Sequence, residues 1–210
     1  MGHSLGAATA YSLAGANINF ERLQANCESM AIALNPSLYL QCQARFLPAR
    51  PHSLKDPRIK AVISANGIAS TLYGPEELQK VEVPLLMASA IDDVVALSLL
   101  EQIHPFSWLG SEEKYLAVMS DASHFFFTSG EDTDIVSPLT QPGAEALAEF
   151  VLGGYREVGS AYFEALNLAF WNVELKEDKA YLPYLSDRYA QQLSVDQVPT
   201  LSIVRDISDE

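Results

Sequence analysis

Three short runs constrain this chain more than anything else in it: Ile59-Lys60-Ala61-Val62-Ile63-Ser64-Ala65, Val83-Pro84-Leu85-Leu86-Met87-Ala88-Ser89 and Lys114-Tyr115-Leu116-Ala117-Val118-Met119. Two of them are apolar nearly throughout rather than alternating. That is the pattern of strands covered on both faces, as in a parallel sheet. Val94 to Ile103 reads as a helix between the second run and the third. Strands alternating with helices imply an α/β fold, a mostly parallel sheet with flanking helices. A chain of 210 residues, 49% hydrophobic and 19% charged, can bury a substantial core in one domain.

Around this centre the organisation is uneven. Leu5 to Ala14 is rich in Ala and Leu and reads as a helix lying under the sheet, with Gly6 and Ala7 allowing close approach to the strands and Gly15 as its stop. Residues 17–56 contain Asn35-Pro36, Pro48 and Pro51 and are too long for a simple connection. They are expected to be an insertion or partial lid, with short helices over 19–34 and 37–46. Residues 141–210 read as a C-terminal helical segment. One helix opens at Pro142-Gly143, a second runs from Ser160 to Glu174 with Tyr162, Phe163, Leu166, Ala169 and Phe170 on one face, and a third covers Asp187 to Leu193.

The first residues, Met1-Gly2-His3-Ser4-Leu5-Gly6, carry the string G-x-S-x-G. In a nucleophile elbow a serine occupies a strained strand-to-helix turn with its Oγ exposed. A free hydroxyl is a poor nucleophile, so Ser4 needs a base, and the base needs an orienting acid. Both residue types stand just past strand-like runs, in the order Ser, acid, His. Asp92-Asp93 follows the second run, and His124 follows the third. His3, inside the turn, is expected to point away from the path of attack. His52 lies in the insertion, and His104 is expected at a helix end before Pro105. Asp93 and Asp92 both suit the acid role, and both also suit an N-cap for a helix beginning near Val94. Asp121 serves a turn. The N–H of Leu5 is the expected first oxyanion donor. Phe125-Phe126-Phe127 reads as core, with one ring beside His124 as a minority alternative. The strand that should precede Gly2, and a second oxyanion donor from an earlier loop, are expected to lie outside the sequence, so the fold is expected to be N-terminally truncated.

Charge narrows the partners. Thirteen Lys and Arg against 27 Asp and Glu leave a net charge of −14, which disfavours nucleic acid and anionic membrane surfaces. No apolar run reaches the ~20 residues that span a bilayer, and no signal peptide is visible. Two cysteines are too few for a structural zinc site, and no glycine loop suits a nucleotide. Cys27 and Cys42 suit either a bridge or two buried thiols; a bridge closing a 15-residue loop contributes ~3 kcal/mol.

At Gly2-His3-Ser4-Leu5-Gly6-Ala7-Ala8-Thr9-Ala10 the sequence resembles the α/β-hydrolase superfamily, and within it the platelet-activating-factor acetylhydrolase-like and dienelactone-hydrolase-like proteins. Asp56-Pro57-Arg58-Ile59-Lys60-Ala61-Val62-Ile63 is similar to their entry to the strand after the elbow helix. Val83-Pro84-Leu85-Leu86 through Asp92-Asp93-Val94-Val95-Ala96 is similar to their acid strand, and Ser123-His124-Phe125 to their histidine loop. Ala169-Phe170-Trp171 through Tyr181-Leu182-Pro183-Tyr184-Leu185-Ser186 is similar to predicted hydrolases of cyanobacteria in this group. The resemblance spans the whole chain but only the C-terminal portion of the family's domain. It implies a cofactor-free serine esterase acting on small or medium acyl esters, with lipid degradation as its setting. Ser4 would be the nucleophile, His124 the base and Asp93 the acid. Many members of the group are exported, which implies a periplasmic or secreted full-length protein and favours the Cys27–Cys42 bridge. Two alternatives stand beside it: a truncated, inactive hydrolase fragment, or a protein that binds lipid or ester without turnover.

Overall fold

Where the sequence is uniformly apolar, the backbone is extended and paired. The computed structural model describes residues 1–28, 35–50, 52–127 and 151–207. Its sheet contains β1 (Gly2–His3), β2 (Val62–Ala65), β3 (Leu85–Ala90), β4 (Lys114–Met119) and β5 (Leu201–Val204), in that spatial order. β1 to β4 are parallel, and β5 runs antiparallel to β4. The architecture is therefore α/β with a five-stranded, mostly parallel sheet.

The core strands carry apolar side chains on both faces, and two separate cores result. Val62, Leu85, Met87 and Leu116 pack on one face, against Ala7, Tyr11, Leu23 and Phe106. Ile63, Leu86, Ala88, Tyr115 and Ala117 pack on the other, against Phe163, Leu166 and Phe170. Each strand contributes alternate residues to each core, which is why its sequence shows no polar period.

The first face is covered by α1 (Leu5–Ala14), α2 (Phe20–Cys27), α3 (Pro36–Cys42), α4 (Gly74–Leu78) and α5 (His104–Trp108). α1 matches its expected bounds and ends at Gly15, whose φ of 132° suits glycine. Buried hydroxyls fasten α1 to the rest of the molecule. Tyr11 donates to Ser64 Oγ at 2.7 Å, and Tyr73 donates to the Ala8 carbonyl at 2.6 Å. Within the expected insertion, α2 and α3 are joined by a Cys27–Cys42 disulfide with Cα atoms 5.6 Å apart, so the bridge is formed. Residues 29–34 of the expected first insertion helix lie outside the described residues. The second face is covered by α6 (Arg156–Lys176), a 3₁₀ helix (Lys179–Leu185) and α7 (Asp187–Leu193).

Two expectations need correction. The C-terminal segment is not wholly helical: β5 closes the sheet edge beside β4, its short Leu-Ser-Ile-Val run alternating buried and open positions. The helix expected from Val94 to Ile103 opens late, as a π-helical turn over Leu99–Ile103, and runs on into α5, so His104 and Pro105 begin a helix instead of ending one. Proline suits that first turn because its missing N–H would have no partner there. Within the G-x-S-x-G string itself, Gly2 and His3 form strand β1. It is two residues long, pairing Gly2 with Ser64 and His3 with Ala65. The expected helix at Pro142-Gly143 falls outside the described residues up to position 150.

Among the described residues no helix is long and apolar enough to cross a membrane.

Candidate active site

Ser4 sits between β1 and α1 with φ 53° and ψ −121°. Positive φ in a non-glycine residue away from the ordinary left-handed well costs on the order of 1–3 kcal/mol and persists only where the surroundings impose it. They do so here. The Ser4 N–H donates to the Ala65 carbonyl at 3.0 Å, and Gly2 allows the turn to close. A Cβ on Gly2 would lie 2.2 Å from the Gly6 carbonyl oxygen. Gly6 itself is exposed, with nothing within 4 Å of a Cβ placed there, so its expected role in close approach to the strands is not found. Gly67 supplies that approach, since its Cβ would meet Ala7 Cβ at 2.6 Å.

A serine at the start of a helix usually caps it, accepting a backbone N–H through Oγ. Ser4 makes no such bond. Among the described residues its Oγ has no hydrogen-bond partner and stays uncommitted. Leu5, the first residue of α1, has an N–H with no intrahelical acceptor, in the positive end of the helix dipole.

Asp93 and His124 meet at neighbouring strand ends, Asp93 three residues beyond β3 and His124 five beyond β4. His124 Nδ1 lies 2.7 Å from Asp93 Oδ2, with both residues buried, 4% and 2% exposed. A carboxylate acceptor places the imidazole proton on Nδ1 and leaves Nε2 with a free lone pair. The other oxygen, Oδ1, accepts the N–H groups of Val95 and Ala96 at 2.7 and 2.8 Å. Asp93 thus caps a local turn and orients a ring together. That turn is why the following helix begins later than its residues suggest. Asp92 is exposed, with its backbone N–H on the Ala122 carbonyl, and takes no part in the pair. Asp121 is exposed at φ 51°, as a turn residue. No hydrogen bond joins Ser4 Oγ to His124 among the described residues.

His3 contradicts its expected orientation. Instead of pointing away from the site, its ring lies 4.5 Å from that of His124, and Nε2–H donates to the His124 carbonyl at 3.0 Å. Burial, and then the neighbouring His124, lower its pKa from 6.5 to about 4. It is therefore neutral near pH 7, and the two rings do not compete for charge. Asn66, which the sequence reading passed over, is fully buried at φ 41° just past β2. Its Nδ2 donates to the carbonyls of Ser123 and His124, and its Oδ1 accepts from the Ala90 N–H. Of the three phenylalanines, Phe126 is core, whereas Phe125 and Phe127 are half-buried around His3, at 5.2 and 4.6 Å between ring centroids. The remaining histidines, His52 and His104, are remote in the fold, on the insertion and at the start of α5.

A second buried carboxylate stands eight residues beyond Asp93. Glu101, on the π-helical turn, accepts six hydrogen bonds: from Asn35, Ser37, Gln41, the N–H groups of Ala69 and Ser70, and the Ser70 hydroxyl. Among the described residues no group of three or more His, Cys, Asp or Glu side chains converges as a metal site would. The site can therefore accept a proton at Nε2, hold the resulting charge against Asp93, and offer a hydroxyl and an N–H at one helix start. The sequence matches no protein-family model and no curated protein.

Proposed function

We propose that this chain is a serine hydrolase of the α/β-hydrolase type that cleaves carboxylic esters of small or medium acyl groups. One observation carries the reading. A serine in strained, uncapped geometry at a strand-to-helix turn stands on the same sheet end as a buried Asp–His pair. Strain of this kind, at a position where nothing structural requires serine, points to reactivity.

In the proposed mechanism, Ser4 Oγ attacks the ester carbonyl carbon while His124 Nε2 takes the hydroxyl proton. The imidazolium is stabilised by Asp93, which remains a carboxylate. The carbonyl oxygen gains the electron pair and is met by the Leu5 N–H. Collapse breaks the carbon–oxygen bond to the alcohol, which leaves with the proton from His124. Water then attacks the acyl-enzyme by the same route, and the acid departs, restoring Ser4. No metal or organic cofactor enters this scheme.

The absence of a Ser4–His124 hydrogen bond favours a second reading, an ester-binding protein without turnover. One assay separates the two. The chain is offered p-nitrophenyl acetate and butyrate, beside Ser4→Ala. Turnover that falls ~10³-fold or more in the variant supports the hydrolase. Ester binding by calorimetry with no Ser4-dependent turnover supports the second reading.

A further inference from the structure

We infer that His3 and Asn66 are positioning residues for His124, clamping its main-chain carbonyl from two sides. The inference rests on reading Ser4, His124 and Asp93 as a catalytic set. His124 lies on a loop, between β4 and the helices that follow, so no strand ladder or helix fixes its backbone. Side chains do that work. The His124 carbonyl accepts from His3 Nε2 and from Asn66 Nδ2, each at 3.0 Å, and Asn66 also reaches the Ser123 carbonyl at 3.3 Å.

What each clamp is anchored to matters more than the bonds themselves. His3 is the residue before Ser4, and it is registered on β2 through Ala65. Its donor bond therefore links the base loop to the nucleophile's own turn. Asn66 holds the Ala90 N–H at 2.9 Å, at the last residue of β3 and three before Asp93. Its amide therefore links the base loop to the acid's strand. One clamp sets His124 relative to Ser4, and the other sets it relative to Asp93. The far side of the loop is held by α6, where Ser160 donates to the Phe127 carbonyl at 3.1 Å and Gly159 lies so close that a Cβ would meet the Phe126 carbonyl oxygen at 2.7 Å. Loop residues held on every side can keep a ring within the narrow limits that proton transfer demands; a misplacement near 1 Å costs about 100-fold.

The test compares His3→Leu, which keeps bulk but loses the donor, with His3→Gln, which restores a side-chain N–H. Asn66→Asp keeps the acceptor for Ala90 and loses both donors. Each variant is assayed for kcat and KM with p-nitrophenyl acetate, melted thermally, and labelled with ¹⁵N-histidine so that the His124 Nδ1 proton is followed by NMR. Expected are a kcat lowered ~10–100-fold in His3→Leu and Asn66→Asp with KM within threefold, recovery to within ~3-fold in His3→Gln, and a His124 Nδ1 resonance broadened or shifted in the first two only. Wild-type kcat and an unchanged His124 resonance in folded His3→Leu would overturn the inference. So would loss of activity that merely tracks a lowered melting temperature. If Asn66→Asp does not fold, the His3 pair decides alone. If wild type shows no Ser4-dependent turnover, the catalytic reading fails, and the NMR arm still decides whether His124 is clamped.

Discussion

Asp93 and Glu101 are both buried carboxylates in the segment that follows β3, and they are satisfied in opposite ways. Glu101 receives six neutral donors, drawn from α3 with its N-cap Asn35 and from the loop after β2, and has no titratable partner among them. Asp93 divides its capacity: one oxygen holds two backbone N–H groups and the other faces an imidazole. A carboxylate saturated by fixed neutral donors can only hold structure together. One that keeps an oxygen for a titratable ring can also follow a proton. On the proposed function, the difference separates a joint from the acid of the catalytic set more sharply than burial does, since both are nearly inaccessible.

The largest effect that could break this contrast comes from removing one charge at a time. Asp93→Asn is expected to lower kcat ~10⁴-fold by favouring the wrong His124 tautomer. Glu101→Gln is expected to leave kcat within about fivefold but to cost ~2–3 kcal/mol in urea unfolding, because the new amide presents N–H to donors already in place. If Glu101→Gln cost activity and Asp93→Asn only stability, the two roles would be reversed.

A smaller effect is expected from the bridge beside the Glu101 joint. Cys42 follows Gln41, whose side chain donates to Glu101 and accepts from the Thr71 and Leu72 N–H groups. Changing both cysteines to serine should lower unfolding free energy by ~3 kcal/mol and leave KM and kcat within threefold. A collapse of kcat without loss of stability would mean that the joint communicates with the reactive end.

The effect confined to acidic pH belongs only to the Asp93 side. His3 has its pKa lowered from 6.5 to about 4, so between those values the unfolded chain binds more protons than the folded one. The stability it contributes is fully present above pH 6.5 and is lost as pH falls toward about 4. Urea midpoints measured from pH 7 to pH 4 should fall more steeply for wild type than for His3→Gln. Parallel curves would remove His3 from the account.

The sequence made some of this legible and hid the rest for physical reasons. β2, β3 and β4 were readable because both of their faces are buried, and Asp93 and His124 because strand ends leave a mark in the chain. β5 was not, because four alternating residues at an edge resemble a loop. The π-helical turn was not, because one extra residue in a helical turn leaves the residue types unchanged while turning both Glu101 and Gln102 inward. His3 was misread because a two-residue strand shows no alternation from which to infer its face. Asn66 left no signal: its role depends on three distant carbonyl and N–H groups that only the folded chain brings together.

The two glycines of the G-x-S-x-G string face different histories. Any side chain at position 2 would collide with the backbone at position 6, whereas a side chain at position 6 would meet nothing. The turn would survive as G-x-S-x-A or G-x-S-x-S. Selection can hold the first glycine fixed while the second drifts, and descendants of this chain could carry the same geometry without the pattern that advertises it.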